Sequence, residues 1–332
     1  MPMKKGNLST RWCIVLWLLP LITAAVCLGM GRIAISPAEI LAALRGNASK
    51  ITAMTLWNLR LPRILLAALV GAGLGTAGCA FQSLFANPLA TPDTLGVASG
   101  ASFGAVVGIL LGLPLLGIQL LALVMGGAAV ALTWLAGSGR QKNLSTIVLS
   151  GIMMGSLFNA LVSLVKYVAD AESQLPAITY WLMGGLQNAA YETLLLGAPP
   201  IVLGIAILFL LRWRMNLLPL SEDEAKASGV NITALRAVTV VCATMITASC
   251  VSMCGQVGWV GLLIPHICRM KFGSNHLSLL PASVSFGAAF MIIVDTLARS
   301  ASAQEIPVSI LTAIIGAPFF VYLMRRSGGW SL

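Results

Sequence analysis

An all-helical membrane protein with about ten spans is predicted by three observations on the sequence. The 332 residues are 58% hydrophobic and only 9% charged, whereas a soluble domain keeps about a quarter of its residues charged. The mean hydropathy is +0.94. The apolar residues are gathered into runs of about 20, the length of helix that crosses a bilayer core of about 30 Å. This length of chain suits a single transmembrane domain over residues 1–332.

The first apolar run follows a basic amino-terminal segment and lacks a small-residue cleavage site, so we expect it to remain as an uncleaved span. Nine spans are predicted in chain order: Trp12–Met30, Ile64–Phe81, Thr94–Leu113, Leu115–Leu135, Leu144–Val168, Leu194–Trp213, Ala234–Cys254, Leu280–Ala298 and Pro307–Met324. A tenth apolar segment, Val257–Ile267, is too short to cross alone. Together with the preceding span it is predicted to form a hairpin that turns within the membrane.

Loop charge predicts the orientation of these spans. If the chain starts inside and the tenth segment crosses, thirteen of the 20 basic residues lie inside and seven outside. If that segment does not cross, most of the bias disappears. The positive-inside rule therefore favours ten spans with both termini cytoplasmic. The cytoplasmic segments are then residues 1–11 and two loops at about 214–233 and 265–279.

Composition and motifs exclude several classes of function. The net charge of +10 is spread singly or in pairs between apolar runs, so no nucleic-acid partner is expected. The seven cysteines form no CxxC pair and are predicted to be buried free thiols, and His266 and His276 have no metal-ligand cluster around them. No phosphate-binding GxxxxGK[ST] loop occurs, and no nucleophile–base pair is recognisable. We therefore predict a non-enzymatic protein without a cofactor or metal.

Small residues predict close helix packing. The glycines of "GASFGAVVGILLG" recur every four residues, and Gly71 and Gly75 repeat that spacing, so each set shares one helix face. These faces are interpreted as packing surfaces rather than as the lining of a ligand path. "SPAE", residues Ser36–Glu39, has the pattern of a capping box with proline at the first helical position. It predicts a short outer helix.

Three polar features call for an explanation. Arg60, Arg63 and Arg299 fall at outer span ends, where positive charge opposes the orientation bias. They either snorkel to lipid headgroups or form a basic ring that faces an acidic partner. Asp295 lies four residues before Arg299 and can neutralise it across one helical turn.

"FANPLATPDTLG" is a tight inner turn on physical grounds alone. "PLSEDEAKASGVNITALR" is either a solvated loop or a docking helix that ends near Gly229.

Five sequence blocks resemble the permease family of ABC importers for iron–siderophores, haem and cobalamin. The blocks are "LRLPRILLAALVGAGLGTAGCAFQSLFANPLATPDTLGVASGA", "LSEDEAKASGVNITALR", "GWVGLLIPHICR", "LLPASVSFGAAFMIIVDTLAR" and "IPVSILTAIIGAPFFVYL". They occur in the family's order from about Ser36 to Leu323. The resemblance implies a bacterial inner-membrane permease that moves substrate by alternating access. It also implies a second permease subunit, identical or paralogous, two cytoplasmic ATPase subunits and an external binding protein.

The resemblance also implies roles for particular residues. It implies three outer arginines that dock the binding protein, four residues at the inner gate and a cytoplasmic surface that couples to the ATPase. The docking residues are Arg60, Arg63 and Arg299; the gate residues are Asn87, Leu89, Ser145 and Thr146; the coupling residues are Leu220, Ser221, Glu222, Glu224, Ala225, Gly229, Pro265, His266 and Arg269. One departure from the family pattern is Asn275-His276-Leu277, which stands where many relatives have a "DHR"-like end.

An iron chelate, siderophore or haem, is the predicted cargo. The same scaffold can import cobalamin or an oxyanion, and the sequence does not decide between a homodimer and a heterodimer. An ion-coupled secondary transporter is a remote alternative. It needs several buried ionisable groups, which the sequence lacks, and a sodium or proton dependence of uptake would reveal it. A membrane scaffold or receptor that transports nothing is the remaining alternative.

Overall fold

The computed structural model describes residues 8–137, 144–220, 224, 227–302 and 304–326. Within these ranges the protein consists of helices joined by short turns, without a strand. The helices are α1 Thr10–Gly29, α2 Pro37–Leu44, α3 Lys50–Met54, α4 Leu61–Leu84, α5 Val97–Leu110, α6 Leu115–Gly137, α7 Leu144–Val168, α8 Gln174–Leu182, α9 Tyr191–Leu211, α10 Ile232–Cys254, α11 Val260–Phe272, α12 His276–Ser300 and α13 Val308–Arg326. A π-helical segment, Thr55–Arg60, joins α3 to α4.

The predicted all-helical membrane fold is confirmed. Seven helical segments in the described ranges are long and apolar enough to cross a membrane, and α3, the π-helical segment and α4 form one of them, Lys50–Leu84. Two shorter apolar helical segments are α5 and Val308–Tyr322 of α13, so the predicted number of about ten is approximate. α7 has the predicted bounds at both ends. α5 starts later than predicted because a 3-10 turn, Pro92–Leu95, and the left-handed Gly96 precede it.

The predicted hairpin is two helices joined by a sharp turn. α10 ends at Cys254 and is followed by Gly255 (φ +70°), and α11 starts after Trp259, whose φ is +68°. The cytoplasmic loop expected at about 265–279 is instead largely helical, because α11 continues to Phe272 and α12 starts at His276. Arg269 and Lys271 had indicated a loop, but they lie in the last turn of α11, where the helix dipole favours positive charge.

α4 is the centre of the bundle. Nearly all of its side chains are buried, since α10, α11 and α12 pack around it. The close approach depends on its glycines. A Cβ built on Gly71 would lie 2.1 Å from the carbonyl oxygen of Gly287 in α12, and one on Gly75 would lie 2.7 Å from that of Ser283. The predicted packing face of Gly71 and Gly75 is therefore confirmed.

The glycine stripe on α5 packs against α6. A Cβ on Gly100 would lie 2.7 Å from a backbone carbonyl oxygen of α6, and one on Gly104 would lie 2.4 Å from another. Gly112, the last member of the predicted stripe, falls outside the helix at φ +65° and has open space around it. The stripe thus ends one turn earlier than its spacing indicates.

Two smaller predictions are also confirmed. Ser36 and Glu39 form the capping box at the start of α2, and the hydrogen bonds donated by the backbone N–H and the hydroxyl of Ser36 lower the pKa of the Glu39 carboxyl. The seven cysteines are free, and all except Cys13 are buried.

The bundle has two ends, and each carries a different set of the residues singled out in the sequence. The arginine end carries the start of α4 and the ends of α1 and α12, where Arg60, Arg63 and Arg299 lie. The opposite end carries the start of α1, the end of α4 and the start of α12. These two names are used below without reference to the side of the membrane.

Candidate functional site

The three arginines predicted to act together do meet at the arginine end. Arg63 is held by two carboxylates: its Nε donates to both carboxylate oxygens of Asp295 at 3.0 Å, its Nη2 donates to Oδ1 at 2.9 Å, and its Nη1 donates to Glu305 Oε2 at 2.8 Å. Asp295 is 1% exposed and the Glu305 side chain is 27% exposed. Arg63 therefore links a fully buried acid to a partly exposed one.

The other two arginines cap α1. Arg299 Nη2 donates to the carbonyl oxygen of Cys27 at 2.7 Å, and Arg60 Nη1 donates to that of Leu28 at 2.7 Å. Arg60 also donates to the carbonyl of Ile33. Both Cys27 and Leu28 lie in the last turn of α1, where carbonyl groups have no partner within the helix. The two guanidinium groups supply these missing hydrogen bonds.

The cluster differs from the predicted ring in how its side chains point. Arg60, Arg63 and Arg299 are only 5%, 9% and 8% exposed, so their guanidinium groups face into the protein, and snorkelling to lipid does not fit. The predicted Asp295–Arg299 pair exists at 4.0 Å, but the principal partner of Asp295 is Arg63. Three guanidinium groups face two carboxylates, which leaves the cluster with one net positive charge.

Sequence reasoning missed Glu305 and the α1 carbonyls. Glu305 lies 242 positions from Arg63, so no helical spacing connects them. Counting charges could have indicated a further acid. Three arginines grouped around Asp295 alone leave two positive charges uncompensated, and Glu305 is the next acidic residue in the chain.

The predicted gate turn lies at the opposite end, after α4. Ala86 adopts φ +47°, and Asn87 Oδ1 accepts a hydrogen bond of 2.9 Å from the N–H of Leu89, whose side chain is 41% exposed. The following 3-10 turn packs on α7, where a Cβ on Gly151 would lie 2.1 Å from the carbonyl oxygen of Thr94. The turn and α7 are therefore in direct contact.

α7 presents polar groups on its exposed face. Ser145 and Thr146 are exposed in its first turn, and Ser156, Asn159 and Ser163 are exposed further along. Spacings of three and four residues place the last three on one face. The hydroxyls of Ser156 and Ser163 donate to the carbonyls of Ile152 and Asn159 at 2.9 and 3.0 Å, so their oxygens stay available as acceptors.

The predicted gate turn and the predicted coupling segments line one cavity. A cavity of about 1230 Å³ at the opposite end is lined by the turn after α4, the segment before Leu220 and the end of α11. Its lining includes Asn87, Pro219, Arg269 and Lys271 and, in the described part of the chain, no carboxylate. The Nη1 of Arg269 has no hydrogen-bond partner among the described residues. The cavity is thus a basic concave surface.

The sequence departure at Asn275 and His276 forms part of this cavity. The Oδ1 of Asn275 accepts a hydrogen bond of 3.0 Å from Leu277 N–H and caps α12. His276 Nδ1 lies 2.9 Å from Asn216 Oδ1, and its Nε2 contacts the Ser83 hydroxyl. These residues join the end of α4 and the 3-10 turn after α9, Arg214–Leu217, to the start of α12, a network that sequence reasoning did not predict.

The remaining coupling residues are described only in part. Ser221, Glu222 and Ala225 lie outside the described residues. Glu224 is exposed, and its carbonyl accepts a bond of 3.3 Å from Ser228 N–H. Gly229 has φ +70°, consistent with the helix end predicted there. Pro265 is buried inside α11, and the His266 ring packs edge-on against Phe320 at 5.7 Å.

Comparison with known proteins identifies the family. The model of the FecCD transport family matches residues 18–326. The molybdate import system permease protein of Haemophilus influenzae is 42% identical, over 94% of this chain and 96% of its own length. The Fe(3+)-citrate import system permease protein of Bacillus subtilis is 35% identical over 94% of both chains.

The fold agrees with that identification. A solved structure described as an inward-facing conformation of a metal-chelate type ABC transporter superposes with a TM-score of 0.88 at 42% identity, over 96% of this chain and all of the other. Family, relatives and fold thus converge on the resemblance stated above. This chain belongs to the FecCD transport family and is a multi-pass permease subunit of an ABC importer.

Proposed function

We propose that the protein imports a small oxyanion of the molybdate type, together with an ATPase and a binding protein. The observation that carries this cargo is the 42% identity, over 94% of the chain, to a molybdate import permease. Iron-chelate and vitamin B12 import permeases are 35% and 36% identical. The iron chelate predicted from sequence is the second candidate, favoured by the metal-chelate description of the 42% identical solved structure.

The path is proposed to run along the exposed polar face of α7. Hydroxyl and amide groups in contact with lipid tails are costly and rare, so Ser156, Asn159 and Ser163 are better placed against water or a second subunit. Large apolar residues such as Met153 and Leu157 share this exposed surface. A second permease subunit, arranged about a twofold axis, can cover them and enclose the path. α7 carries no acidic residue, which suits passage of an anion.

Partners are proposed to dock at both ends of the bundle. Arg60, Arg63 and Arg299 give the arginine end its positive charge, which we assign to an acidic external binding protein. Two cytoplasmic ATPase subunits are assigned to the opposite end. They contact the coupling residues Leu220, Ser221, Glu222, Glu224, Ala225, Gly229, Pro265, His266 and Arg269. Both termini then lie in the cytoplasm of a bacterium, and the chain itself hydrolyses no ATP.

Alternating access then follows from the shared cavity. ATP-driven closure of the ATPase pair moves the segment that starts at Leu220. Pro219 and Asn87 line the same cavity, so that movement can displace the proposed gate. The gate is formed by Asn87, Leu89, Ser145 and Thr146. The 3-10 turn against Gly151 provides the connection to α7.

The cargo proposal is tested by uptake into proteoliposomes. The complex of permease, ATPase and cognate binding protein is supplied with ATP and with radiolabelled molybdate or a labelled ferric chelate. We expect ATP-dependent uptake of molybdate at least tenfold above that of the chelate. The reverse preference would establish the second candidate, and uptake driven by an ion gradient without ATP would contradict both.

The docking proposal predicts that charge at the arginine end controls binding-protein affinity. Arg60 bonds only to carbonyl groups among the described residues, so Arg60→Gln removes charge without breaking an ion pair. We expect binding-protein affinity to fall roughly tenfold, with a weaker salt dependence, since the charge of Arg60 contributes to docking through long-range attraction although its side chain is buried. Arg45→Gln is the matched control, because Arg45 is exposed at the end of α2. Equal losses in the two variants would contradict a specific role for the cluster.

A further inference from the structure

Among the described residues of the arginine cluster, Glu305 has the most exposed side chain. Among the described residues its carboxylate accepts one hydrogen bond, from Arg63 Nη1 at 2.8 Å, and its side chain is 27% exposed. Asp295, at 1% exposure, accepts from the other two nitrogens of the same guanidinium group. The inner acid therefore fixes the orientation of Arg63, and the outer acid completes its hydrogen bonding.

We propose that Glu305 is an internal substitute for a carboxylate of the docking partner, which replaces it on Arg63 Nη1 when the two proteins bind. This inference rests on the proposed docking function of the arginine end. It assigns Glu305 a role in setting the affinity of that docking, because the partner must compete with a carboxylate already in place. The chemistry of the partner follows: an exposed Asp or Glu that can reach the position of Glu305.

An exchange of carboxylates avoids the main energetic obstacle at this site. A docking mode that merely broke the Arg63–Glu305 pair would leave Arg63 Nη1 without an acceptor, and an unsatisfied donor on a buried charged group is costly, so such a mode would be opposed. Replacing one carboxylate with another preserves the ion pair on Arg63 and moves Glu305 to solvent. The net charge of +1 on the cluster attracts the incoming acid.

The segment that carries Glu305 connects the cluster to the middle of the fold. Ile306 N–H donates to the carbonyl of Ala298 at 3.2 Å, and Val308 N–H donates to that of Gly184 at 3.0 Å. Gly184 follows α8 and packs against Gly255, at the turn between α10 and α11. Release of Glu305 loosens a segment tied to α12, α8 and this turn at once. The structural effect of docking is thereby transmitted to helices that extend to the opposite end of the bundle.

The test is the affinity of the loaded binding protein for the permease–ATPase complex in lipid nanodiscs. Glu305→Gln keeps the size of the side chain and removes the competing charge, and we expect binding about fivefold tighter, the size of effect of a partly exposed ion pair. Glu305→Asp keeps the charge and is expected to bind within twofold of the unmodified protein. Glu192→Gln, at an exposed carboxylate in the first turn of α9, is the control and should change nothing.

The outcomes separate this inference from the docking proposal. If Arg60→Gln docks as tightly as the unmodified protein, the docking function itself fails. If Arg60→Gln weakens docking while Glu305→Gln binds equally or less tightly, docking stands and the exchange at Glu305 is overturned. Hydrogen exchange in the unmodified protein provides a second readout. The amides of Ile306 and Val308 should exchange faster once the binding protein docks, and unchanged or slower exchange would overturn the proposal without any variant.

Discussion

Asp295→Asn is expected to destabilise the folded protein by about 3–5 kcal/mol, because it removes the buried partner of a buried guanidinium group. Asp295 accepts three hydrogen bonds from Arg63 and lies 4.0 Å from Arg299. An asparagine fills the same space but carries no charge. Arg63 and Arg299 then face each other with only the partly exposed Glu305 to offset them.

The measurement is the free energy of unfolding of the purified protein in bicelles, followed by titration with a denaturing detergent. Glu172→Gln is the control, since Glu172 is exposed in the turn before α8, and a change below about 0.5 kcal/mol is expected there. A loss of less than about 1 kcal/mol in Asp295→Asn would contradict the assignment of Asp295 as the acid that compensates the cluster.

A double variant separates the loss of charge from a general disturbance of packing. Asp295→Asn combined with Arg63→Met removes both members of the Arg63–Asp295 pair and keeps the net charge of the cluster at +1, while Glu305 loses its contact with Arg63 and Arg299 its contact with Asp295. We expect it to be more stable than Asp295→Asn alone, because replacing a buried ion pair by apolar groups is often neutral. Additive losses in the double variant would show that the two residues do not interact.

The arginine cluster shows which structural features could be predicted from the sequence and which could not. The long membrane-spanning helices followed from hydrophobic run length, and the bounds of α7 matched at both ends because polar residues lie close to both ends of that run. Arg60, Arg63 and Arg299 were grouped correctly, as was the local pair Asp295–Arg299. The direction of the side chains was not predictable, since it depends on how α1 packs beside α4 and α12. For the same reason the Arg63–Glu305 pair and the capped α1 carbonyls appear only in three dimensions.

The opposite end illustrates a second limit. Asn87 and Arg269 were assigned to a gate and to a coupling surface, and the structure places both in the lining of one cavity. Their shared cavity arises from the packing of α4 and α11, which sequence spacing does not specify. The basic residues of α11 were interpreted as loop charges because a helix end and a loop carry the same positive bias. The charge pattern thus predicted a loop where the structure has the last turn of a helix.

Gly78→Ala is expected to be the most damaging single-methyl substitution in the bundle, at about 3 kcal/mol, the upper part of the usual range for overpacking. A Cβ at this position would lie 1.8 Å from the carbonyl oxygen of Gly261 in α11 and 2.6 Å from the carbonyl carbon. Backbone atoms cannot rotate away as a side chain does. α4 and α11 must therefore separate by roughly 1 Å, which breaks the close packing on both sides of α4.

Gly127→Ala in α6 is the matched control. It adds the same methyl group to a helix of similar length, but no atom lies within 4 Å of the new Cβ. Because alanine favours helix more than glycine does, this variant should be neutral or more stable by up to about 1 kcal/mol. The two variants together test whether backbone contact, and not glycine content, holds the helices at their observed distance.

The functional consequence can be measured in the same pair of proteins. α11 lies between the α10 turn and the cavity lined by Arg269, so displacing it from α4 should uncouple ATP hydrolysis from the binding protein. We expect Gly78→Ala, where it folds, to lose most of the stimulation of ATPase activity that the loaded binding protein produces, and Gly127→Ala to keep it. A Gly78→Ala protein with normal stability would contradict the observed contact with Gly261. Normal stimulation in a destabilised Gly78→Ala protein would instead show that transmission between the two ends bypasses α11.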